Sequence, residues 1–148
     1  SLLKEKGEKI YELGSGWGTL AFPIAKKFPH CSVIAFENSH FPFLFSKLRN
    51  RFFPCKNLKI ENKDFYTIPL NDAKLVICYL FPNAMHSLGE KLKKEVPPHS
   101  KILSHTFAIP HWPAEKIWTA NDLYKTKIYL YSIDQVRDAH IQLAIKHN

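Results

Sequence analysis

A short apolar run that ends in a glycine-rich turn constrains the fold more than any other feature of this chain. Residues Ile10–Gly18 read I-Y-E-L-G-S-G-W-G, and an amphipathic segment follows directly. An apolar strand, a glycine turn and a helix in that order are typical of the first unit of an open, nucleotide-binding α/β sheet. A dinucleotide fingerprint would place its third glycine at Thr19, whereas here it comes one residue earlier, at Gly18. The acidic Glu12 ahead of the turn disfavours a pyrophosphate and favours a ligand that carries a positive amino group.

Strand and helix signals alternate along the rest of the chain. The apolar runs predict strands at Lys9–Leu13, Ser32–Glu37, Leu58–Glu61, Lys74–Leu80, Lys101–Phe107, Lys116–Ala120 and Thr126–Ile133. Helices are predicted at Trp17–Phe28, Pro42–Phe53 and Asn83–Val96, the last capped by Asn83. Because no helix separates the last two strands, they predict a hairpin at one sheet edge. The predicted fold is α/β: a Rossmann-like seven-stranded, mostly parallel sheet with an antiparallel C-terminal edge hairpin and helices on both faces. The tail from Gln135 to Asn148 is either a helix on the sheet or one that packs on a partner.

Length and composition predict a single domain over residues 1–148. The sequence contains no apolar run long enough to span a membrane and no secretory signal pattern. Because the chain starts at Ser1 rather than Met, we expect a trimmed or processed N-terminal segment, and membrane association would be possible through such a segment. The three widely spaced cysteines indicate buried thiols in a reducing, cytoplasmic compartment.

The formal net charge of +8 is concentrated in a basic patch between Lys47 and Lys63. Its members are Lys47, Arg49, Arg51, Lys56, Lys59 and Lys63. Such a patch predicts contact with nucleic acid, anionic lipid or an acidic protein, unless it is only a solvated helix face followed by a loop.

The E-x-G-x-G-x-G pattern of Glu12–Gly18 resembles motif I of the class I S-adenosylmethionine (AdoMet) methyltransferases. The resemblance implies AdoMet as cofactor and S-adenosylhomocysteine as product. Glu12 would attract the ammonium and sulfonium charges, directly or through water. Gly14, Gly16 and Gly18 would let the backbone approach the ligand and supply amides at a helix start. Ser15 and Trp17 would line the methionine moiety.

Residues that follow the next strands complete the implied cofactor site. Glu37 ends the second predicted strand, where a carboxylate can accept both ribose hydroxyls, and Asn38 is its neighbour on the adenosine side. Asp64 and Phe65 follow the third strand, where this superfamily commonly places an acidic residue on the adenine amine beside an apolar wall. Tyr79, at the end of the fourth strand, is expected near the sulfonium.

The acceptor side resembles a narrower family. The D/N-P-P-Y/F signature of nucleic-acid amino-methyltransferases is missing at Tyr79–Asn83, which places base methylation second. The chain instead resembles the small protein-lysine methyltransferases that modify the ATP synthase c subunit and the adenine nucleotide translocase. Three segments carry this resemblance: Glu12–Gly16, Leu80–Met85 and Ser104–Pro113. The resemblance covers about residues 9 to 133, the whole predicted sheet. Two departures are Trp17, where that family usually has an acidic residue, and the absence of its membrane-anchoring N-terminal segment from this chain.

The family resemblance implies a protein substrate and lysine N-methylation. An aromatic pocket for the lysine amine would be formed by Tyr79, Phe81, Phe107 and Trp112. Asn83 or His105 would orient the amine. An RNA or small-molecule methyltransferase, a non-catalytic AdoMet-binding domain and a nicotinamide-dependent oxidoreductase are the alternatives. No metal is expected, because prolines interrupt the chain that carries the evenly spaced histidines at positions 99, 105 and 111.

Overall fold

The computed structural model describes residues 3–146, which form seven strands and four helices. The strands are β1 (Lys9–Leu13), β2 (Ser32–Phe36), β3 (Leu58–Glu61), β4 (Ala73–Cys78), β5 (Lys101–His105), β6 (Lys116–Thr119) and β7 (Lys127–Ser132). The helices are α1 (Ala21–Lys27), α2 (His40–Phe52), α3 (Pro82–Glu95) and α4 (Ile133–Lys146).

All seven strands join one sheet in the order β3-β2-β1-β4-β5-β7-β6. Strands β1 to β5 pair in parallel, whereas β7 runs antiparallel to both β5 and β6. This confirms the predicted seven-stranded sheet and its antiparallel C-terminal hairpin. The strand order reverses between β1 and β4, and ligands of such sheets bind in the crevice at the carboxyl ends of the strands flanking that point.

The sheet separates two apolar cores, because successive strand residues point to opposite faces. In β4, Leu75 and Ile77 join the core that contains residues of α1, whereas Val76 and Cys78 join the core under α3 and α4. Helices therefore cover both faces, as predicted.

Several predicted element ends are wrong, each for a local backbone reason. Helix α1 starts at Ala21 rather than at Trp17, because Gly18 has a φ of 75° and lies outside helical geometry. Strand β5 stops at His105, because Thr106 takes a left-handed φ of 74°. Asn83 does not cap α3: Phe81 occupies the N-cap position and Pro82 the first helical position, where the missing amide of proline costs nothing.

The described part of the C-terminal tail packs on the sheet. Ile133 and Val136 of α4 are buried in the core beneath α3. The Arg137 guanidinium donates hydrogen bonds to the carbonyls of Lys93 and Val96, at the end of α3. His147 and Asn148, also part of the predicted tail, lie outside the described residues. Among residues 3–146, no helix has the length and apolar character needed to cross a membrane.

Candidate functional site

A cavity of about 230 Å³ lies at the carboxyl ends of β1, β4 and β5, beside the point where the strand order reverses. It is lined by Glu12, Gly14, Ser15, Gly16, Trp17, Thr19, Leu20, Tyr79 and His105. Five of the predicted cofactor residues, at the end of β1 and in the turn after it, thus meet Tyr79 and His105 from the predicted acceptor side. Thr19 and Leu20 were not predicted, because the sequence placed them inside a helix rather than in the turn that precedes it.

The glycines of the turn have different surroundings. A methyl group added to Gly14 would meet the Leu80 side chain at 2.6 Å, and one added to Gly18 would meet the Phe22 ring at 2.8 Å. By contrast, no heavy atom lies within 4 Å of the methyl position at Gly16, which also has a positive φ of 53°. Gly14 and Gly18 are therefore needed for internal packing, and only Gly16 leaves open space for a ligand.

Three consecutive backbone amides at the start of the turn are bonded within the protein. Gly14 and Ser15 both donate to the Phe36 carbonyl at 3.0 Å, and Gly16 donates to Glu37 Oε2 at 2.6 Å. These donors hold the ends of β1 and β2 together, and α1 begins only at Ala21, so the structure places these amides ahead of the helix. The contact of this turn with AdoMet stays a prediction.

Two buried oxygens beneath the turn have no hydrogen-bond partner: Glu12 Oε2 and Ser15 Oγ. Glu12 is 3% exposed, and burial together with the negative charge of nearby Glu37 raises the pKa of its carboxyl to about 8. Unpaired buried polar groups cost free energy, so they mark places where a ligand is expected to supply the missing partner. Here that partner is a cationic or hydrogen-donating group.

Glu37 lies at the end of β2 and is oriented by two backbone amides. Its carboxylate accepts hydrogen bonds from Gly16 N at 2.6 Å and from Ser39 N at 2.7 Å. Asn62, which follows β3, donates from its side chain to the carbonyls of Glu37 and Asn38 and so anchors this loop. Asn62 was missed, although its place directly after a strand could have indicated it. A carboxylate has about four acceptor positions, so Glu37 retains acceptor capacity for a ligand hydroxyl.

The predicted adenine-side residues lie outside the cavity lining. Asn38 is exposed, and Asp64 is half-buried with its carboxylate accepting a hydrogen bond from Tyr66 N at 2.9 Å. The Phe65 ring lies 4.5 Å from the Tyr66 ring, between centroids. The role predicted for these residues stays a prediction.

Tyr79 and His105 stand together at the cavity, where β4 and β5 end. Their rings make an edge contact with centroids 4.9 Å apart. His105 Nδ1 shares a hydrogen bond of 2.8 Å with Thr106 Oγ1, which fixes the ring and leaves Nε2 for another partner. Thr106 holds this position through its left-handed backbone.

The remaining predicted acceptor residues do not line the cavity. Phe81 is 80% exposed at the start of α3, and Asn83 is exposed on its first turn. Trp112 is 8% exposed, packs edge-on against Tyr131 and would contact any side chain added at Gly89. The structure therefore places Trp112 in the core rather than on the cavity wall, because the turn that carries it folds back under α3. Phe107 likewise packs against that core.

Most cations of the basic patch make contacts within the protein. Lys59 and Lys63 both make ion pairs with Glu61, and the Arg49 guanidinium lies over the Phe22 ring, 4.2 Å from its centroid. Lys47 Nζ also lies over the Phe43 ring, 5.5 Å from its centroid. Four of the six cations are thus engaged within the protein, which weakens the predicted nucleic-acid surface.

The donors and acceptors around the cavity fit AdoMet. Glu12 and Ser15 present the unpaired oxygens that an ammonium group requires, Gly16 leaves room beside them, and Glu37 accepts hydrogen bonds one strand away. Trp17, Leu20 and Tyr79 supply an apolar wall.

Comparison with known proteins gives matches over most of the chain. The family model described as ANTKMT methyltransferase domain matches residues 12–116. A protein-lysine N-methyltransferase of Saccharolobus islandicus is 25% identical over an alignment of 133 residues, and the match covers 85% of this chain and 80% of that protein. An adenine nucleotide translocase lysine N-methyltransferase of Mus musculus is 26% identical over 113 residues; these are 76% of this chain but 49% of the mouse protein, so the match spans about half of that relative.

The fold also occurs among solved structures. The crystal structure of an RNA methyltransferase from Salinibacter ruber in complex with S-adenosyl-L-homocysteine superimposes with a TM-score of 0.75 at 20% identity. The superposition covers 85% of this chain and 80% of the other. At this level of identity the similarity supports the fold alone.

Proposed function

This chain belongs to the ANTKMT methyltransferase domain family, and on that premise we propose that it transfers a methyl group from AdoMet to the ε-amino group of a lysine in a protein substrate. Two buried oxygens without a partner, Glu12 Oε2 and Ser15 Oγ, carry the cofactor part of the proposal. The two curated relatives are named for lysine N-methylation, which supports the acceptor part.

At the cofactor end, Glu12 and Ser15 bind the ammonium group of the methionine moiety. An ammonium next to Glu12 favours the ionised carboxylate, so binding reverses the rise in its pKa that burial causes. Glu37 accepts hydrogen bonds from the ribose, and its own geometry is held by Gly16 N and Ser39 N. Asp64 and Phe65 remain our proposed contacts to the adenine.

At the acceptor end, Tyr79 and His105 position the lysine amine. AdoMet supplies a methyl group on a positively charged sulfur, which a neutral amine attacks in line. The protein therefore has to orient the amine and to favour its neutral form by excluding water, rather than to supply a strong base. His105 Nε2 is free to hydrogen-bond the amine, because Nδ1 is held by Thr106, and the Tyr79 ring shields the same place.

Labelled methyl transfer tests the proposal. The protein is incubated with AdoMet labelled in its methyl group and with either total cell protein or total RNA. We expect label in protein, released as methyl-lysine on acid hydrolysis. Label in RNA alone would contradict the lysine assignment, and failure to bind S-adenosylhomocysteine in calorimetry would contradict the cofactor assignment.

Two histidine variants distinguish a role in positioning the acceptor from a general loss of activity. His105→Ala should lower the methylation rate by on the order of 100-fold while leaving S-adenosylhomocysteine affinity unchanged, because the residue orients the acceptor only. His86→Ala, on the exposed side of α3, is the matched control and should retain the full rate. Equal rates in the two variants would remove His105 from the acceptor site.

We further propose a reducing, cytoplasmic-type location. Cys31, Cys55 and Cys78 are buried and unpaired in the structure, which is compatible with such a compartment.

A further inference from the structure

Helix α2 presents its apolar side chains outward. Phe41, Phe45, Leu48 and Phe52 recur at intervals of four, three and four residues, which places them along one side of a helix. Together with Leu44 they form what we call the α2 face, defined as Phe41, Leu44, Phe45, Leu48 and Phe52. These side chains are between 51% and 82% exposed. No other residue among residues 3–146 covers these five side chains enough to bury them.

The inward side of α2 is polar instead. Ser46, the one buried residue of the helix, donates a hydrogen bond to the Gly16 carbonyl at 3.3 Å. Asn50 hydrogen-bonds the Leu58 carbonyl and the Cys55 amide, and Arg49 stacks over Phe22. A surface helix of a globular domain normally shows the opposite polarity. The α2 face is therefore not part of the hydrophobic core of this domain.

Helix α2 and the segment that follows it carry charges of a single sign. Residues 38–60 contain five lysines and arginines and no aspartate or glutamate. Lys47 and Arg51 are exposed, and with Leu44, Leu48 and Asn50 they line an open groove of about 450 Å³ on the helix. The groove thus combines an apolar floor with two cations at its rim, which is complementary to a phosphate group attached to hydrocarbon.

We propose that the α2 face binds the surface of a lipid bilayer that contains anionic phospholipids. The phenylalanines and leucines enter the boundary between headgroups and acyl chains, and Lys47 and Arg51 contact lipid phosphates. Helices that lie in this boundary have Phe, Trp or Leu on one side and Lys or Arg at its edge, as α2 does. With 13 residues the helix is about 20 Å long, so it lies on the membrane rather than crossing it.

A bilayer fits these observations better than RNA or a protein groove. RNA binding would use unpaired cations with stacking aromatics, whereas Leu44 and Leu48 stand beside the cations here and four of the six cations of the basic patch are engaged internally. A protein partner would need an acidic, apolar groove shaped to one helix. A bilayer needs only the unbroken row of apolar groups and the uniform positive charge.

The α2 face is continuous with the candidate active site. The Trp17 ring, which lines the site cavity, contacts the Phe45 ring edge-on with centroids 5.3 Å apart. Insertion of the α2 face would move Trp17 toward the lipid boundary, so its fluorescence reports binding.

Vesicle flotation tests the proposal with the intact chain. The vesicles contain phosphatidylcholine with about one-third phosphatidylglycerol, and vesicles of phosphatidylcholine alone are the reference. We expect the protein to float with the anionic vesicles, with a blue shift in tryptophan emission, and to be released by high salt. A folded protein that stays unbound at low salt would overturn the proposal.

Two matched pairs of variants separate the apolar and the electrostatic contributions. The triple variant F41S/L48S/F52S should lower vesicle affinity by on the order of 100-fold, whereas L123S/Y124S, at an equally exposed turn, should not. K47Q/R51Q should lower affinity roughly 25-fold, about fivefold for each cation, whereas K26Q/K27Q at the end of α1 should have little effect. Equal binding by all four variants would overturn the assignment to α2.

One further readout controls for folding, and two distinguish other occupants of the α2 face. Unchanged binding of S-adenosylhomocysteine shows that each variant is folded, because none of these positions lines the site cavity. A concentration-dependent dimer that F41S/L48S/F52S abolishes, with no vesicle binding, would assign the face to a second copy. Tight RNA binding that K47Q/R51Q abolishes, again without vesicle binding, would assign it to nucleic acid. Either result would overturn the membrane proposal.

Discussion

Replacing Glu12 with glutamine is expected to stabilise this protein and to weaken cofactor binding. Glu12 is almost completely buried, one of its oxygens has no partner, and its pKa is raised from 4.5 to about 8. Burial is the larger cause, and the negative charge of Glu37 is the smaller one. Glutamine has nearly the same shape as the protonated carboxyl group but cannot ionise.

Proton linkage gives the direction in which pH changes the unfolding free energy. Between pH 4.5 and 8 the folded protein keeps a proton on Glu12 that the unfolded chain releases, so stability falls as the pH rises through this window. Each unit of pKa difference corresponds to about 1.4 kcal/mol, so the carboxyl group costs about 3 kcal/mol at pH 7 and about 5 kcal/mol above pH 8. Glu12→Gln removes this cost, and its advantage in unfolding free energy should grow from near zero at pH 4.5 to those values.

Urea denaturation of the ligand-free protein between pH 5 and pH 9 measures the effect. The control is Glu90→Gln, because Glu90 is exposed and ion-paired with Lys93, which lowers its pKa below this range. Its difference from the parent should stay constant with pH. A constant difference for Glu12→Gln as well would refute the assignment of a strongly perturbed carboxyl group beneath the glycine turn. Calorimetry on the same variant should show S-adenosylhomocysteine affinity lowered by on the order of 100-fold, since a buried charged partner is lost.

Three further outcomes are expected. At pH 7, binding of S-adenosylhomocysteine should release close to one proton as Glu12 ionises; calorimetry in buffers of different ionisation enthalpy measures it, and an absence of release would contradict the contact between Glu12 and the ammonium group. Gly14→Ala should destabilise the fold by about 2 kcal/mol or more, measured by urea denaturation, because its methyl group meets Leu80 and its φ is positive. Gly16→Ala should cost only about 1 kcal/mol but weaken ligand binding, and an unchanged affinity in calorimetry would show that Gly16 does not face the ligand. Trp112→Ala should lower the unfolding free energy by about 3–5 kcal/mol while leaving ligand affinity unchanged, and a changed affinity in calorimetry would return Trp112 to the site.

The amino-acid pattern alone is sufficient to predict the class of fold and the edge of the sheet where the site lies. Alternation of apolar strands with helices, followed by two strands without a helix between them, was enough to predict the seven-stranded sheet and its antiparallel hairpin. The glycine turn after β1 placed Glu12, Ser15 and Gly16 at the carboxyl ends of parallel strands, because strand and turn are adjacent in the chain. Local pattern is sufficient wherever the deciding interactions are local.

Tertiary structure decided how each of these residues is used. Whether the amides of the glycine turn are free depends on Phe36 and Glu37, about 20 residues away, and these proved to occupy them. The position of Trp112 depends on a turn that folds into the core beneath α3, and a tryptophan in the sequence fits a core as well as a pocket. Helix α2 shows most clearly what the sequence pattern leaves undecided. Its apolar period predicts an amphipathic helix, but contacts with other elements decide which side faces inward. Here the polar side faces inward, because Ser46 and Asn50 hydrogen-bond the carbonyls of Gly16 and Leu58. Periodicity specifies that a helix has two sides, and only packing assigns one of them to the interior.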